Sequence, residues 1–370
     1  MDTQKNIDAL NDKELRIVLT GGHAASPGMA VSQELKHRFS NIKISWIGSK
    51  YAVPGSRATT LEYKIFPEIG VKFYPLIVGK LQTKFTLYTI PLFLNIPFSF
   101  IQALWFVIKL KPKIVVSFGG FSSFPVIFWG WILRLPIILH EQTAVAGRAN
   151  LISAFLASKI ALSRSESISL FPKGKSTVTG NPILSEMLSV SPKKKLGAVK
   201  TILVVGGSRG SEFINEEVSK IIPKLIKKYK VIHITGERDF RKYKDAGNEQ
   251  YKVLAFVDPR EMPRYYRESD LIIGRSGAST VSEILYIKRP AILIPLPRTY
   301  MDEQYKNAKY AEDFGLARIL TEKEVSSGTL IYKIDELFYD WQKIVDKVLE
   351  KQSPDNLASQ KIVDLIGKYI

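Results

Sequence analysis

The residues best suited to chemistry lie in one stretch, residues 269–297. An apolar run at residues 271–273 is followed by a glycine turn and a helical segment that carries Glu283 about a turn and a half inside. Small residues at the helix start let a phosphate approach free backbone N–H groups, where the helix dipole favours negative charge. These small residues are Ser276, Gly277, Ala278 and Ser279. Because a carboxylate just inside the helix can accept hydrogen bonds from a ribose diol, the pattern predicts a nucleotide site.

The same residues have a second interpretation, which is purely structural. Thr280, Val281, Ser282 and Glu283 fit the T-x-x-E pattern of a capping box, in which Glu283 would bond only to backbone. Taken alone, this stretch favours neither interpretation.

Three further glycine turns follow predicted strands, at residues 20–23, 119–121 and 206–210. With the first stretch they make two turns in each half of the chain, at the carboxyl ends of strands where open parallel sheets bind ligands. We therefore expect a cleft between the two halves. None of the turns is a full G-x-G-x-x-G motif, and the GKS at residues 174–176 lacks the earlier glycine of a P-loop. Nicotinamide-dependent and ATP-dependent functions are excluded on these grounds.

The elements that must position these turns alternate between strand and helix along the chain. Strands are predicted in the first half at residues 16–19, 43–47, 71–76, 113–117, 136–140, 159–163 and 176–179. In the second half they are predicted at residues 201–205, 230–234, 251–256, 271–273, 291–294 and 317–320. Such alternation indicates an α/β protein with two Rossmann-like, doubly wound parallel-sheet domains.

The domain organisation follows from this series and from the composition of the segments between. We predict a first domain at residues 1–182, a linker at 183–200, a second domain at 201–340 and a helical tail at 341–370 that packs back on the first domain. A chain of 370 residues is long enough for two cores.

The net charge of +18 calls for an anionic partner or surface. Residues 1–180 hold 21 Lys and Arg against 9 Asp and Glu, so +12 of the charge lies in the first half. Nucleic acid is an unsuitable partner because no known binding motif is present. The absence of cysteine excludes disulfides, thiolate metal sites and a cysteine nucleophile. The polar N-terminus predicts no signal peptide.

Residues 85–108 carry no charge, which raises the question of a membrane span. A buried loop and helix, or a surface patch that dips into lipid headgroups, are the other interpretations. Pro91, Asn95 and Pro97 are expected to interrupt the segment. We favour the surface patch because basic residues follow directly and interfacial binding combines apolar and basic side chains. These residues are Lys109, Lys111 and Lys113.

Seven motifs occur in a characteristic order along the chain. They are TGGH at residues 20–23, GGFSSFP at 119–125, HEQ at 140–142, GNP at 180–182, VVGGSRG at 204–210, RSGASTVSE at 275–283 and DEQYKNA at 302–308. Together they resemble the MurG family. The resemblance implies the GT-B fold, with the two domains facing a central cleft. It also implies transfer of N-acetylglucosamine from UDP-N-acetylglucosamine to lipid I, forming lipid II for peptidoglycan at the cytoplasmic face of the cell membrane.

The resemblance also implies roles for particular residues. Those expected to bind the donor from the first domain are Thr20, Gly21 and Gly22. Those expected to bind it from the second domain are Ser208, Val257, Ala278, Ser279, Thr280, Val281, Ser282, Glu283, Gln304 and Asn307. Among these, Ser208 and the backbone of residues 278–280 would hold the diphosphate, Glu283 the ribose and the backbone of Val257 the uracil. Gln304 and Asn307 would hold the sugar hydroxyls.

For the mechanism, the family inverts the anomeric centre, so a base must deprotonate the acceptor hydroxyl. His23 is the first choice and Glu141 the alternative, while His140 is expected to anchor a strand end. No Asp-x-Asp motif and no metal-spaced cluster occurs, so we expect no metal or cofactor, although a divalent ion is compatible with the sequence. Arg209 or Arg275 either stabilises the leaving group or serves as an ordinary surface or ion-pair residue.

The chain departs from the family pattern at several positions. Thr143 stands where an asparagine is expected after HEQ, and Leu184 stands where an arginine is common after GNP. Val18 and Leu19 replace two glycines before TGGH. Three other functions stay open: transfer to another lipid such as diacylglycerol or from a different sugar nucleotide, epimerisation of a UDP-sugar, and binding without turnover. The last is motivated by Thr143 and Leu184.

Overall fold

The chain forms two compact units. The computed structural model describes residues 14–52, 58–78 and 89–370, with the side chains of 89–94 left aside. The first unit comprises Met1–Pro182 and Leu357–Ile370, and the second comprises Ile183–Asn356. Each unit has a parallel sheet and is described by itself.

The sheet of the first unit has seven parallel strands in the order β3-β2-β1-β4-β5-β6-β7. Its strands are β1 (Leu15–Thr20), β2 (Ile42–Ser49), β3 (Lys72–Leu76), β4 (Ile114–Ser117), β5 (Ile137–Glu141), β6 (Lys159–Leu162) and β7 (Ser176–Val178). Its helices are α1 (Ala25–Arg38), α2 (Leu61–Ile65), α3 (Thr89–Leu110), α4 (Phe124–Ile132) and α5 (Arg148–Leu156), with a 3-10 turn at Ser165–Leu170. All residues of β4 and β5 are buried, as expected for central strands covered on both faces.

The sheet of the second unit has six parallel strands in the order β10-β9-β8-β11-β12-β13. Its strands are β8 (Thr201–Val205), β9 (Lys230–Ile234), β10 (Tyr251–Leu254), β11 (Leu271–Gly274), β12 (Ala291–Leu293) and β13 (Ala317–Ile319). Its helices are α6 (Ser185–Leu188), α7 (Glu212–Leu225), α8 (Phe240–Tyr243), α9 (Met262–Glu268), α10 (Ala278–Ile287), α11 (Glu303–Phe314), α12 (Ser327–Tyr339) and α13 (Trp341–Val348), with 3-10 turns at Lys244–Ala246 and Tyr300–Asp302. The two doubly wound parallel sheets predicted from the alternating pattern are confirmed.

Each sheet reverses its strand order beside its first strand. In the first unit β1 pairs with both β2 and β4, and Thr20 lies opposite Ser117. In the second unit β8 pairs with β9 and β11, and Val205 lies opposite Gly274. Two glycine turns therefore leave each sheet side by side at its switch point, which is where open α/β sheets bind ligands.

The ends of the second unit extend beyond the predicted domain limits. Residues 183–200, which we predicted as a linker, are part of this unit, since Lys193 Nζ donates to Asp270 Oδ1 at 2.7 Å. Helix α13 also belongs to it, because Trp341 Nε1 donates to the carbonyl of Asp270 at 2.8 Å. Residues 357–370 instead pack with the first unit, where helix α14 (Ala358–Gly367) contacts α1 and Asp364 pairs with Arg38.

The uncharged segment at residues 85–108 forms most of one helix. Residues 85–88 lie outside the described residues, and α3 spans Thr89–Leu110 with Pro97 inside it. The expectation that Pro91, Asn95 and Pro97 interrupt the segment is wrong, because a proline within a helix removes one backbone hydrogen bond without necessarily ending the helix. Within the described ranges, no helix combines the length and the apolar character needed to cross a membrane.

Candidate active site

The two glycine turns of the first unit contact each other directly. Gly22 donates its N–H to the carbonyl of Gly119 at 3.0 Å, and Ser122 Oγ donates to the carbonyl of Gly21 at 2.9 Å. Gly119 has a φ of +81°, and a Cβ there would meet the side chain of Asn150. Turns that were separate in the sequence thus form one rigid edge at the switch point.

Thr20 and His23 lie at the two ends of the first turn and differ in exposure. Thr20 is buried, and its Oγ1 donates to the carbonyl of Ile47 at 2.8 Å. His23 is exposed, has a φ of +58° and lies one residue before Ala24, the N-cap residue of α1. The hydroxyl of Thr20 is therefore committed to the sheet, whereas the imidazole of His23 is accessible. Donor binding by Thr20 and the role of His23 as the base stay predictions.

Glu141 is the most completely hydrogen-bonded of the predicted site residues. Its carboxylate accepts hydrogen bonds from Thr143 N at 3.2 Å, Thr143 Oγ1 at 3.1 Å, Gly147 N at 3.0 Å and Asn150 Nδ2 at 2.7 Å. Its side chain is only 4% exposed, and burial raises the pKa of its carboxyl group. The carboxylate thus organises the loop that joins β5 to α5.

The residues around Glu141 account for one departure from the family pattern. The one hydroxyl proton of Thr143 is shared between Glu141 Oε1, at 3.1 Å from Oγ1, and the carbonyl of Val145, at 2.5 Å. The side chain of Thr143 therefore makes its hydrogen bonds within this loop.

Leu184, the second departure, is buried beside α6 in the second unit, where it packs as a core residue.

His140 is held at the end of β5, within the sheet. Its Nε2 lies 3.3 Å from the carbonyl of Gly180 and 3.2 Å from Ser163 Oγ. The ring is fully buried. This arrangement agrees with the expected anchoring of a strand end.

In the second unit, the turn after β8 presents exposed side chains on a constrained backbone. Ser208 and Arg209 are both exposed at its tip. Gly210 has a φ of +75°, and a Cβ there would lie 2.0 Å from the carbonyl oxygen of Thr235. Only glycine permits this close approach between the turn and the loop after β9.

A buried network of hydrogen bonds stabilises this turn and the loop after β9 that it contacts. Asn215 Nδ2 donates to the carbonyl of Thr235 at 2.8 Å and to Asp239 Oδ2 at 3.0 Å. His233 Nε2 lies 3.0 Å from Asn215 Oδ1, and His233 Nδ1 lies 2.8 Å from the hydroxyl of Tyr251. Burial lowers the pKa of His233 to about 4. The ring is therefore neutral near pH 7 and serves to orient Asn215.

The turn after β11 leads into α10, whose N-cap is Gly277. The first hydrogen bond of the helix runs from Val281 N to the carbonyl of Gly277 at 3.0 Å. The N–H groups of Ala278, Ser279 and Thr280 precede this bond and point out of the helix start, where they can hold an anion.

The capping-box interpretation of this helix start is wrong. A capping box needs Thr280 as the N-cap residue, but Gly277 occupies that position and Thr280 already lies inside the helix. Val281 and Ser282 are buried on the side of α10 that packs inward.

Glu283 is held by a residue that the sequence analysis did not identify. The hydroxyl of Tyr266, on α9, donates to Glu283 Oε2 at 2.7 Å. Burial raises the pKa of the Glu283 carboxyl group to about 7, although the bond from Tyr266 acts in the opposite direction. Glu283 as a whole residue is partly exposed, and its carboxyl group is held by Tyr266.

The segment between β10 and α9 carries Val257, which is buried. Asp258 fixes the segment: it pairs with Arg260 at 2.6 Å, and its carbonyl accepts the N–H of Glu261 at 2.8 Å. Its carbonyl also accepts the N–H of Met262, the first residue of α9, at 3.1 Å. The backbone at Val257 is therefore joined rigidly to the helix that carries Tyr266.

Gln304 and Asn307 are brought to the same turn by Ser276. Ser276 Oγ donates to the carbonyl of Gln304 at 2.7 Å, and Asn307 Nδ2 donates to the carbonyl of Ser276 at 3.2 Å. Gln304 Oε1 accepts the N–H of Leu296 at 3.0 Å. Burial raises the pKa of Glu303 beside it. The starts of α10 and α11 thus form one connected surface.

Arg275 is engaged in hydrogen bonds and an ion pair within the second unit. Its guanidinium donates to Glu322 Oε1 at 2.5 Å, to Ser211 Oγ at 3.1 Å and to the carbonyl of Ile294 at 3.1 Å. The interpretation of Arg275 as an ion-pair residue is therefore the one that the geometry supports. Arg209 remains exposed at the tip of its turn.

Two contacts were not predicted from the sequence. One is the hydrogen bond from Tyr266 to Glu283, and the other is the pairing of Asn215 with His233 next to the turn after β8. A histidine inside an apolar strand was the available signal for the second contact. No local signal marked Tyr266, because its partner lies on another helix. Across residues 14–52, 58–78 and 89–370, no group of three or more His, Asp or Glu is placed to hold a metal ion.

Comparison with known proteins gives two family matches and several close relatives. Residues 18–162 match the glycosyltransferase family 28 N-terminal domain, and residues 201–365 match the glycosyltransferase family 28 C-terminal domain. A Bacillus cereus UDP-N-acetylglucosamine–N-acetylmuramyl-(pentapeptide) pyrophosphoryl-undecaprenol N-acetylglucosamine transferase is 32% identical over 332 residues, covering 87% of this chain and 91% of the relative.

Solved structures share the fold at lower identity. Acinetobacter baumannii MurG has a TM-score of 0.70 at 24% identity, covering 96% of this chain and 99% of that chain. The UDP-GlcNAc 2-epimerase from Neisseria meningitidis, bound to UDP-GlcNAc, has a TM-score of 0.63 at 13% identity, covering 95% and 99%.

Two doubly wound units with paired glycine turns at their switch points, matched in both halves by family 28 domains, define a glycosyltransferase of the GT-B fold. Within that class, the identity to the Bacillus cereus enzyme over most of both chains is decisive. The chain belongs to the MurG family of N-acetylglucosamine transferases.

Proposed function

We propose that this protein transfers N-acetylglucosamine from UDP-N-acetylglucosamine to the 4-hydroxyl of the muramoyl residue of lipid I, forming lipid II. The observation that carries the proposal is the start of α10, where free N–H groups and the carboxylate of Glu283 lie on one helix. This spacing suits the diphosphate and the ribose of a single nucleotide.

The donor is held chiefly by the second unit. The N–H groups of residues 278–280 and the hydroxyl of Ser208 bind the diphosphate, and Glu283 accepts hydrogen bonds from the ribose. The backbone at Val257 faces the uracil, while Gln304 and Asn307 bind the sugar hydroxyls. The close connection of Ser276 to both α10 and α11 supports this division, because it keeps the diphosphate and sugar groups in register.

The first unit carries the proposed base and the residues predicted to bind near the diphosphate and the acceptor. These residues are Thr20, Gly21 and Gly22, in the first glycine turn. His23 is the base because its ring is exposed on that turn, whereas the carboxylate of Glu141 already accepts hydrogen bonds from Thr143, Gly147 and Asn150.

The transfer is a single displacement with inversion. The acceptor oxygen attacks the anomeric carbon as His23 takes the hydroxyl proton. The bond from that carbon to the diphosphate oxygen breaks, and its electron pair leaves with UDP. The helix dipole and N–H groups of α10 stabilise the departing negative charge, so the reaction needs no cofactor.

The protein works at the cytoplasmic face of the membrane as a peripheral enzyme. Helix α3 exposes Phe98, Ile101, Trp105 and Ile108, and the adjacent α4 exposes further apolar side chains. Lys109 lies over the ring of Trp105, with Nζ 4.4 Å from the ring centroid. Apolar side chains bordered by lysines suit an anionic lipid surface, where the acceptor resides.

One experiment tests the reaction and separates it from its competitors. Purified protein is incubated with radiolabelled UDP-N-acetylglucosamine and a short-chain analogue of lipid I, and the products are identified. A β-1,4-linked disaccharide is the expected result. Transfer only to diacylglycerol, epimerised sugar without transfer, or binding without turnover would each contradict the proposal and identify one of the other three functions.

A further inference from the structure

We propose that Tyr266 is a positioning residue that orients the carboxylate of Glu283 for recognition of the donor ribose. This inference rests on the proposed function and adds a residue to its nucleoside site. Tyr266 would not touch the donor, since it acts through Glu283.

The phenol of Tyr266 is placed rigidly enough for this role. Its side chain is 1% exposed, and its hydroxyl lies 2.7 Å from Glu283 Oε2. Its own carbonyl accepts a hydrogen bond from Ser269 Oγ at 3.1 Å, just beyond the end of α9. A tyrosine packed in this way has essentially one rotamer, so its hydroxyl marks a fixed point in space.

Among the residues that the structure describes, Tyr266 is the one hydrogen-bond partner of the Glu283 carboxylate, which leaves acceptor capacity for a ligand. An ionised carboxylate offers about four acceptor positions, and a phenol donates into one of them. Oε1 and the remaining positions on Oε2 can accept the two hydroxyls of a ribose. Glu141 in the first unit makes the contrast, because donors from its own loop take up both of its oxygens.

Fixing the carboxylate before the donor arrives should strengthen binding. A free glutamate side chain loses rotamer freedom when it is immobilised by a ligand, and this loss of entropy weakens binding. Because the bond from Tyr266 already fixes the Glu283 side chain in the folded protein, this rotamer freedom is lost during folding and not when the donor binds. The same bond favours the ionised carboxylate against the effect of burial, and only the ionised form accepts from both ribose hydroxyls.

Tyr266 also links two parts of the nucleoside site. Helix α9 begins at Met262, whose N–H is bound by the carbonyl of Asp258, one residue after Val257. Four residues later the same helix reaches Glu283 through Tyr266. The backbone expected to face uracil and the carboxylate expected to hold ribose are thus joined by one short helix.

The test compares the affinities of the full chain for UDP and for 2′-deoxy-UDP by calorimetry. In the parent protein we expect the loss of the 2′-hydroxyl to weaken binding roughly tenfold. Tyr266→Phe should weaken UDP binding about fivefold to tenfold and 2′-deoxy-UDP binding only about twofold to threefold, because 2′-deoxy-UDP keeps one of the two hydroxyls that Glu283 accepts. Tyr265→Phe is the matched control, since Tyr265 is the adjacent buried tyrosine on α9 and should change neither affinity.

A merely structural role for Tyr266 would weaken both nucleotides equally, and that result would overturn the inference, as would unchanged affinity for both. Glu283→Gln separates this inference from the function on which it depends. If Glu283→Gln weakens UDP binding and Tyr266→Phe does not, only the positioning role fails. If Glu283→Gln has no effect on UDP binding, the ribose role of Glu283 fails as well.

Discussion

Two carboxylates, the buried Glu141 in the first unit and the partly exposed Glu283 in the second, differ in how many internal hydrogen bonds they accept. Glu141 is the last residue of β5, and Glu283 lies on α10, the helix that follows β11. Glu141 accepts hydrogen bonds from Thr143, Gly147 and Asn150 of its own loop, whereas Glu283 accepts one from Tyr266. Saturated acceptors stabilise the protein, and acceptors with remaining capacity can recognise a ligand. We therefore predict that Glu141 has a structural role and that Glu283 binds a ligand.

The largest expected effect concerns the choice between His23 and Glu141 as the base in the first unit. His23→Ala should lower kcat by about 10²- to 10⁴-fold, the usual contribution of a general base, with little change in donor KM. The measurement is a steady-state assay with a lipid I analogue. His37→Ala, on the basic end of α1, is the control and should retain activity. Near-normal kcat in the His23 variant would return the role to Glu141.

Glu141→Gln tests how much the hydrogen bonds accepted by the Glu141 carboxylate stabilise the protein. The amide nitrogen cannot accept the hydrogen bonds now taken by the carboxylate, so we expect the free energy of unfolding to fall by about 2–4 kcal/mol. Urea denaturation measures the change, and Glu166→Gln on the exposed 3-10 turn serves as control. An unaltered unfolding curve combined with a hundredfold or larger loss of kcat would make Glu141 catalytic and break the comparison.

The remaining acceptor capacity of the Glu283 carboxylate predicts that donor binding depends on pH. Burial raises the pKa of Glu283 to about 7 in the ligand-free protein, and Tyr266 is the titratable group bonded to it. The ionised form binds ribose, so affinity is complete above the raised pKa and falls by up to about tenfold per pH unit below it. Calorimetry with UDP-N-acetylglucosamine between about pH 6 and pH 8 measures this fall.

Glu283→Gln is the control for the pH series, because its side chain does not titrate. Its affinity should be low and flat across the range. Equal affinity of the parent protein at both ends of the range would show that Glu283 does not bind the donor as a carboxylate.

The smallest expected effect concerns the lipid surface of the first unit. Replacing Lys109, Lys111 or Lys113 by alanine should weaken binding to phosphatidylglycerol vesicles by about 1 kcal/mol for each residue. Sedimentation with vesicles at low and high salt measures the change. Lys220→Ala on α7 of the second unit is a matched exposed control. Salt-independent binding by the parent protein would contradict an electrostatic contribution.

Much of the fold was predictable from local sequence. Every strand predicted from an apolar run is present, with ends within one or two residues, because buried parallel strands need such runs and glycine marks where they end. The helix over residues 89–110 was only partly foreseen, since three potential helix breakers argued against it. Packing against β-sheet and helix α4 stabilises a helix that local propensity disfavours.

The site was predictable where chemistry depends on neighbouring residues and unpredictable where it depends on distant ones. The start of α10 and its carboxylate could be recognised because turn, dipole and glutamate lie within ten residues. Arg275 could not be assigned, because its partner Glu322 is far along the chain. The alternative of a capping box was settled only by the backbone position at which α10 begins.

The sequence by itself determined the alternation of strands and helices, the glycine turns and the chemical types available at each turn, since these depend on local sterics and hydrophobic periodicity. Only the tertiary structure decided which polar groups satisfy one another. It directed four hydrogen-bond donors to Glu141 and one to Glu283, and it paired Asn215 with His233. The reason is physical: hydrogen bonds act over about 3 Å, and only folding brings residues from separate elements within that distance.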